Sequence, residues 1–251
     1  MTLDLSKLNP LPAGFGQCGK CAYREAGTPA ICYACFRQKC RPYPNDYGCD
    51  DCGAPELGFG ACGNPICNRE RWYDRNYTIS YREGVLEDRM NLYKFRGASG
   101  WGLIFARVLL GFVNVHIFDF LNHDLIVAVP AYVSPGADAP TDNAQFVIAT
   151  AAKIDNENWP FDTASPPAIV KTTHTESMKQ KTWVQREAIA VGELRGALSV
   201  PNRARTRSKR IIVFDDLYTT GHTLNEVARC LIHDGGAKGV TGISLARQIR
   251  R

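Results

Sequence analysis

The chain has 251 residues, of which 45% are hydrophobic, 10% aromatic and 22% charged, and its formal net charge is +5. Such a chain can bury a sizeable core, and its composition excludes a disordered protein, a collagen and a coiled coil. Nine of the ten cysteines fall within the first 67 residues. This distribution predicts two unlike parts, a cysteine-rich module over residues 1–70 and a second domain over residues 71–251.

The amino-terminal residues carry no sign of export. Residues 1–17 contain Pro10 and Pro12 and no continuous apolar stretch, so we expect no secretory signal. The most hydrophobic window, residues 101–121, contains Arg107, His116 and Asp119, which makes a membrane span unfavourable. We therefore expect a cytoplasmic protein with no membrane partner. In that compartment, closely spaced cysteines are expected to bind metal, and unmetallated thiols or disulfides are the alternative.

The cysteines of the first part come in closely spaced pairs, three of them with Cys-x-x-Cys spacing and a looser fourth. Eight thiolates suit two tetrahedral zinc ions with four ligands each. Such sites would be structural and not catalytic, because the protein fills every ligand position and leaves none open. Cys40 has no close partner and is the spare thiol. Sequential use of the pairs and a crossed arrangement (first pair with third, second with fourth) both remain open. The candidate zinc ligands are Cys18, Cys21, Cys32, Cys35, Cys49, Cys52, Cys62 and Cys67.

The middle of the chain predicts alternating helices and strands. Apolar patterning predicts helices over residues 85–95, 101–113 and 145–153, a central strand over residues 125–129 and another strand over residues 168–170. Residues 134–142 are rich in Pro, Gly, Ala and Asp and predict a mobile loop. The polar residues 174–185 form either a flexible lid over an active site or an ordinary surface loop.

A basic run with no intervening acid follows, from Arg195 to Arg210. Most such runs are solvated connections, which we favour here. The alternative is a surface that steers a polyphosphate or binds single-stranded nucleic acid. The members of the run are Arg195, Arg203, Arg205, Arg207, Lys209 and Arg210.

The strongest functional signal is a predicted strand, loop, helix and strand near the carboxyl terminus. Residues 211–214 form a buried parallel strand that ends in Asp215 and Asp216, and a Thr/Gly loop leads into a helix with one apolar face. Residues 235–236, both glycine, end that helix, and residues 239–245 form the next strand. Open α/β sheets place their ligands at the carboxyl ends of such strands.

The loop suits a phosphate monoester. Backbone N–H groups of residues 219–223 at a helix N-terminus favour an anion, and threonine hydroxyls add further donors. Asp215 and Asp216 repel phosphate but suit the vicinal hydroxyls of a sugar, directly or through Mg²⁺. The sequence contains neither a P-loop nor a dinucleotide-binding fingerprint. The combination therefore predicts a ligand that contains ribose 5-phosphate.

These residues resemble a known family. The stretch Phe214-Asp-Asp-Leu-Tyr-Thr-Thr-Gly-His-Thr-Leu224 is similar to the phosphoribosyl-diphosphate motif of type I phosphoribosyltransferases. The cysteine module, Tyr93-Lys-Phe-Arg-Gly97, Val127-Ala-Val-Pro130 and Ala246-Arg247 resemble the ComF branch, the competence-protein ComF and GntX-like group. That branch joins a zinc-binding module to a phosphoribosyltransferase domain. The resemblance implies an α/β fold, with a type I phosphoribosyltransferase-like parallel sheet flanked by helices and an N-terminal zinc-binding module.

The resemblance also implies roles for individual residues. Asp215 and Asp216 would bind the ribose hydroxyls and act in catalysis, and residues 129–134, Pro130 among them, would lie near the diphosphate. Lys94 would approach the same site. The phosphate-binding loop would comprise Thr219, Thr220, Gly221, His222 and Thr223, with His222 in place of a common alanine.

The chain departs from the family pattern on the side expected to hold diphosphate or acceptor. Residues 141–146 read Thr-Asp-Asn-Ala-Gln-Phe where an Arg-Gly-Phe-Asn-Gln-like stretch is usual. Ala190 and Glu193 occupy places where Arg-x-x-Asn is frequent.

Two functions follow. The first is a Mg²⁺-dependent enzyme that binds phosphoribosyl diphosphate and transfers or hydrolyses the phosphoribosyl group, and the intact Asp215-Asp216 pair favours it. The second is a non-catalytic ComF-like factor of nucleic-acid uptake or repair that keeps the ribose-phosphate site as a sensor or relic. The departures above and the basic run favour the second.

Overall fold

A computed structural model describes residues 44–46, 48–55, 62–95, 100–134 and 143–249. The predicted ligands in the first half of the cysteine module and most of the predicted mobile loop, residues 135–142, lie outside the described residues. So do residues 96–97 of the Tyr93–Gly97 stretch. The cysteines concerned are Cys18, Cys21, Cys32, Cys35 and Cys40.

A parallel sheet organises the described chain. Its order is β1-β6-β5-β2, and every neighbouring pair is parallel. A small antiparallel sheet joins β3 to β4. The strands are β1 Asn76–Tyr81, β2 Leu125–Ala128, β3 Val170–Lys171, β4 Leu198–Ser199, β5 Arg210–Tyr218 and β6 Gly239–Arg247.

Both faces of the parallel sheet are covered, as its uninterrupted apolar strands require. Ile212 and Phe214 of β5 join one core, which the helices α1, α2 and α4 complete. Ile211 and Val213 join the opposite core, which contains residues of α7 and Cys52 of the cysteine module. The helices are α1 Gly84–Phe95, α2 Gly100–Val115, α3 Ile117–Phe120, α4 Asn143–Ile154, α5 Trp183–Ile189, α6 Arg195–Ala197 and α7 His222–Arg229.

The α/β class and the parallel sheet flanked by helices are therefore as predicted. The three predicted helices of the middle region correspond to α1, α2 and α4, with ends shifted by at most two residues. The two carboxyl-terminal strands are present and longer than predicted. A wide π-helical turn, Ala190–Leu194, connects α5 to α6, and another, Cys230–Asp234, extends α7.

Two strand predictions need correction. The strand at residues 125–129 is the outermost of the four in the described sheet, not a central one. Its free edge is closed by residues 160–162, because Ile126 N donates to Pro160 O at 2.8 Å and Asp162 N donates to Ile126 O at 2.8 Å. The strand predicted at residues 168–170 begins only at Val170.

The sequence analysis missed β1, because its polar residues hide its burial. Asn76, Thr78 and Ser80 are each at most 1% exposed. Asn76 Nδ2 donates to Ser244 Oγ of β6 at 2.9 Å and to Thr78 Oγ1 at 3.0 Å. These hydrogen bonds offset the desolvation of the polar groups, so the side chains of this strand are buried although many of them are polar.

Within the described ranges, we find no helix with the length and apolar character that a membrane crossing requires.

Candidate functional site

Four cysteines of the module meet at one point. The sulfur atoms of Cys49, Cys52, Cys62 and Cys67 all lie within 4.8 Å of one another. Cys52 Sγ is 3.7 Å from Cys62 Sγ, and Cys49 Sγ is 3.9 Å from Cys67 Sγ. For these four residues the grouping is the sequential one and not the crossed one. Four clustered cysteine sulfurs are the donor set of a structural zinc site.

The local backbone explains why the sulfurs converge. Gly53 N donates to Cys49 O at 2.7 Å, which closes a tight turn at φ +65° that favours glycine. Asn64 N donates to Cys62 Sγ at 3.3 Å. The contact with Cys67, aided by Arg247, lowers the pKa of the Cys52 thiol to about 5 despite its burial. The same contact, together with burial, raises the pKa of the Cys67 thiol, so Cys52 is the member of this pair that favours the thiolate, the form that binds metal.

Two carboxylates end the apolar part of β5. Lys94 Nζ of α1 lies 2.6 Å from Asp216 Oδ1, and these two side chains are only 23% and 14% exposed. Burial, and after it the neighbouring Asp216, raise the pKa of Asp215 to about 7 against the opposing effect of Lys94. One ammonium group thus stands beside two adjacent carboxyls, so acidic groups outnumber basic ones at this point.

A cavity of about 710 Å³ opens at the carboxyl ends of β2 and β5. Four of its lining side chains are basic, and the Asp215-Asp216 pair supplies its two acidic ones. It therefore offers cations to a polyanion and carboxylates to a hydroxyl-bearing or cationic group. The lining residues are Arg82, Met90, Asn91, Lys94, Phe95, Val129, Pro130, Ala131, Asn143, Ala144, Ser177, Met178, Lys179, Gln180, Arg186, Asp215, Asp216, Leu217, Thr219 and Gln248.

The loop between β5 and α7 depends on Gly221. Its φ is +89°, and a Cβ there would lie 2.3 Å from Tyr218 Oη and 2.8 Å from Tyr73 Oη. These two tyrosine hydroxyls are themselves hydrogen-bonded at 2.7 Å. Glycine lets the chain turn directly into α7, so that the first N–H groups of that helix face the loop.

The predicted loop residues divide into two groups. Thr219 lines the cavity together with Lys94 and Pro130, whereas residues 220–223 are not among its lining residues. Thr220 Oγ1 is hydrogen-bonded to His222 Nδ1 at 2.7 Å, and Thr223 Oγ1 donates to Met178 Sδ at 3.8 Å. Burial lowers the pKa of His222, whose side chain packs against the ring of Trp183.

The segment predicted as lid or surface loop does border the cavity. Residues 177–180 line it. The last part of the segment is helical, because Thr182 and Gln185 form a capping box at the start of α5. That Thr-x-x-Gln spacing was the available signal for the helix, and it places Arg186 in the first turns of α5.

Arg186 and Arg82 are site residues that sequence reasoning missed. Arg186 Nη1 donates to Thr219 Oγ1 at 3.0 Å. Arg82 Nη1 donates to Gln248 Oε1 at 2.7 Å, and its Nη2 donates to Asn91 Oδ1 at 2.9 Å. Both come from segments remote from β5, so only the fold brings them to the cavity.

Arg247 links the cysteine cluster to the loop. It ends β6, is 5% exposed, and donates through Nη1 to the carbonyl oxygen of Thr219. Its guanidinium carbon lies 4.8 Å from the centre of the Tyr218 ring. Its Nη2 is 4.0 Å from Cys52 Sγ. The cysteine module is therefore part of the packing behind the loop.

The basic run lies away from the cavity, around the amino end of β5. Arg195 forms an ion pair with the buried Glu226 at 2.8 Å, and Arg205 forms one with the buried Asp162. Arg203, Arg207 and Arg210 are exposed.

Comparison with known proteins places these features in context. No family model matches the chain. The chain is similar to competence protein ComFC of Bacillus subtilis (strain 168), with 23% identity over 227 residues, which cover 86% of this chain and 84% of that protein.

Proposed function

The similarity supports a ComF-like family for this chain, and from this premise we propose that the cavity binds phosphoribosyl diphosphate together with Mg²⁺. The observation that carries the proposal is the Asp215-Asp216 pair beside Thr219 in a cavity of about 710 Å³, with the helix α7 beginning three residues beyond Thr219. That volume lies within the usual range for a small-molecule site, about 300–1,000 Å³.

Each part of the ligand has a counterpart in the cavity. The hydroxyls of the ribose diol would donate hydrogen bonds to the carboxylates of Asp215 and Asp216. The 5-phosphate would lie at Thr219 and the N-terminus of α7, where N–H dipoles favour an anion. The diphosphate would lie near Lys94 and Pro130. The other basic side chains at the cavity wall are those of Arg82, Lys179 and Arg186.

The residues present also fit Mg²⁺. The pKa of Asp215 is raised first by burial and then by Asp216, so that two carboxyl groups, in excess over the single ammonium group of Lys94, share this place. A hard divalent cation would relieve that excess, and Mg²⁺ prefers oxygen ligands from one or two carboxylates and substrate phosphates. When bound, it would neutralise charge on the diphosphate.

In the proposed reaction the bond between ribose C1 and the diphosphate oxygen breaks, and diphosphate leaves with the electron pair. An acceptor or a water molecule bonds to C1 and loses a proton. The protein supplies charge stabilisation and orientation, and no protein nucleophile is required. Asp215 and Asp216 would hold the ring, and Lys94 would stabilise the departing charge.

The second candidate is a non-catalytic role in competence or another form of nucleic-acid handling. The similar Bacillus subtilis protein is named a competence protein. Two positions that depart from the phosphoribosyltransferase pattern make contacts within the protein here. Ala190 is 1% exposed, and Glu193 Oε2 accepts from the backbone N of Glu176 at 2.7 Å. The ribose-phosphate site would then act as a sensor of the ligand or be a relic. The exposed part of the run from Arg195 to Arg210 would be the first surface to test for binding of nucleic acid.

The cysteine module is proposed to bind two zinc ions. Cys49, Cys52, Cys62 and Cys67 would hold one, and Cys18, Cys21, Cys32 and Cys35 would hold the other. Their role would be structural, in a cytoplasmic protein.

Isothermal titration calorimetry with phosphoribosyl diphosphate and Mg²⁺ tests the proposal. We expect the wild type to bind and the double variant Asp215→Asn/Asp216→Asn to lose binding. Glu157→Gln removes an exposed carboxylate and should bind as the wild type does. A wild type that does not bind would refute the ribose-phosphate site in both functions.

A turnover assay separates the two candidates. Diphosphate release is followed over a panel of bases and amines and with water alone. Release that depends on Asp215 and Asp216 would establish the enzyme. Binding without release over the whole panel would favour the sensor.

A further inference from the structure

An arginine of the cysteine module contacts the helix α5. Arg69 lies two residues beyond Cys67, and its Nη1 is 2.8 Å from Glu187 Oε1 of α5. The guanidinium carbon of Arg69 also lies 4.5 Å from the ring centre of Trp183. Trp183 and Glu187 are separated by one helical turn, so one guanidinium contacts both on the same face.

The same helix also contacts the phosphate-binding loop. The ring centres of Trp183 and His222 are 4.7 Å apart, and His222 is 6% exposed. His222 in turn is hydrogen-bonded to Thr220. Arg69, Trp183 and His222 thus form a continuous stack from the cysteine module to the loop.

This arrangement determines where the side chain of Arg186 lies. It stands between Trp183 and Glu187 in α5, lines the cavity, and donates through Nη1 to Thr219 Oγ1 at 3.0 Å. Its Nε donates to Lys181 O at 3.0 Å, which fixes the base of the guanidinium. A phosphate group bound beside Thr219 would lie next to this guanidinium, a planar donor that favours oxyanions.

The amino-terminal turns of α5 pack only lightly on the protein. Ile189 is the one buried residue of α5, and Val184 is 70% exposed. The π-helical turn that continues α5 is anchored beyond Arg186, by the buried residues Ala190 and Leu194. The contacts of Arg69 and His222 with Trp183 and Glu187 therefore matter for where Arg186 lies.

We propose that Arg186 binds a phosphate group of the ligand and that Arg69 is a positioning residue, which holds α5 so that Arg186 faces the loop. The cysteine module would thereby set the ligand affinity of the cavity without contacting the ligand. This inference rests on the proposed function, with phosphoribosyl diphosphate and Mg²⁺ as the probe.

A double-mutant cycle tests the inference. Dissociation constants are measured by calorimetry for the wild type, Arg69→Ala, Arg186→Ala and the double variant, and the zinc content of each is measured. Arg186→Ala should raise the dissociation constant about tenfold, because a charge-assisted hydrogen bond is lost. Arg69→Ala should raise it about threefold at unchanged zinc content, and the double variant should bind no more weakly than Arg186→Ala. Arg69→Lys should recover part of the loss, because it keeps the charge but not the planar stack.

Lys238→Ala is the matched control, since it removes an exposed cation just before β6, at the opposite end of the sheet from the cavity. It should leave the dissociation constant unchanged. Independent, additive losses in the cycle, or an Arg69→Ala variant that binds as tightly as the wild type, would overturn the positioning role.

Hydrogen exchange separates this inference from the proposed function. Amides of residues 181–194 should exchange faster in Arg69→Ala than in the wild type, without any ligand. A wild type that binds no phosphoribosyl diphosphate refutes the proposed function, and the affinity role with it. If the wild type binds, unchanged exchange and unchanged affinity in Arg69→Ala refute this inference alone.

Discussion

Replacing Asp215 by Asn should stabilise the protein at neutral and alkaline pH while it impairs the proposed site. The pKa of Asp215 is raised from 3.8 to about 7, mainly by burial and then by Asp216. Between pH 3.8 and about pH 7, Asp215 is therefore protonated in the folded protein and ionised in the unfolded chain. Stability that is present at low pH is lost as the pH rises through this window, because the folded state must then carry the buried charge.

The size of the effect follows from the same pKa. The full difference between 3.8 and about 7 corresponds to about 4 kcal/mol at 1.36 kcal/mol per tenfold change. The Asp215 side chain is only half-buried, so solvent screens part of this energy. We expect Asp215→Asn to be more stable than the wild type by about 1–2 kcal/mol at pH 8.

Urea unfolding between pH 4 and pH 9 measures this difference. The curves of wild type and Asp215→Asn should diverge from about pH 4 to about pH 7 and then run parallel. Asp88→Asn, at an exposed position of α1, should track the wild type throughout. A constant difference between wild type and Asp215→Asn over the whole range would refute the reasoning, because titration of Asp215 would then not contribute.

Three further predictions concern the loop, the basic run and the metal. Gly221→Ala should lower the free energy of unfolding in urea by about 3 kcal/mol, because φ is positive there and the new Cβ would overpack against two tyrosines. Gly192→Ala is the control and should not destabilise the protein, since a Cβ there would have nothing within 4 Å. Equal stabilities of the two variants would contradict the geometry. Arg205→Ala should cost about 3 kcal/mol in thermal unfolding, because the buried carboxylate of Asp162 then loses its cationic partner and keeps only backbone N–H donors. Arg207→Ala, at an exposed position, should stay within about 0.5 kcal/mol, and similar losses in the two variants would show that the ion pair is unimportant. Cys52→Ser should lower the zinc content, measured by atomic absorption, by one ion per chain, and an unchanged content would exclude the cluster as a zinc site.

Local patterns predicted most of the fold because the periodicity of apolar residues reports burial directly. The four consecutive apolar residues before Asp215 and the apolar face of α7 predicted both elements at the end of the chain. The sequence did not predict β1, because several of its buried side chains are polar. Their hydrogen bonds reach partners on β6, and Asn76 and Ser244 are 168 residues apart in the chain. No local pattern carries that information.

The candidate site shows the same division. Asp215, Asp216 and the loop lie in one continuous segment, so their spacing alone indicated a ribose-phosphate ligand. Lys94 entered only through the resemblance, and Arg186 and Arg82 not at all, because each comes from a helix or turn that the tertiary fold brings to the cavity. The spacing of the cysteines likewise left two pairings open, and only their placement distinguishes them for Cys49, Cys52, Cys62 and Cys67.

A crystal structure with phosphoribosyl diphosphate and Mn²⁺ in place of Mg²⁺ tests the central claim most directly. The account predicts an anomalous Mn²⁺ peak beside the ribose diol at Asp215 and Asp216, with the 5-phosphate at Thr219 and the N-terminus of α7. Ligand density at the exposed arginines before β5, with the Asp215-Asp216 pair unliganded, would contradict it.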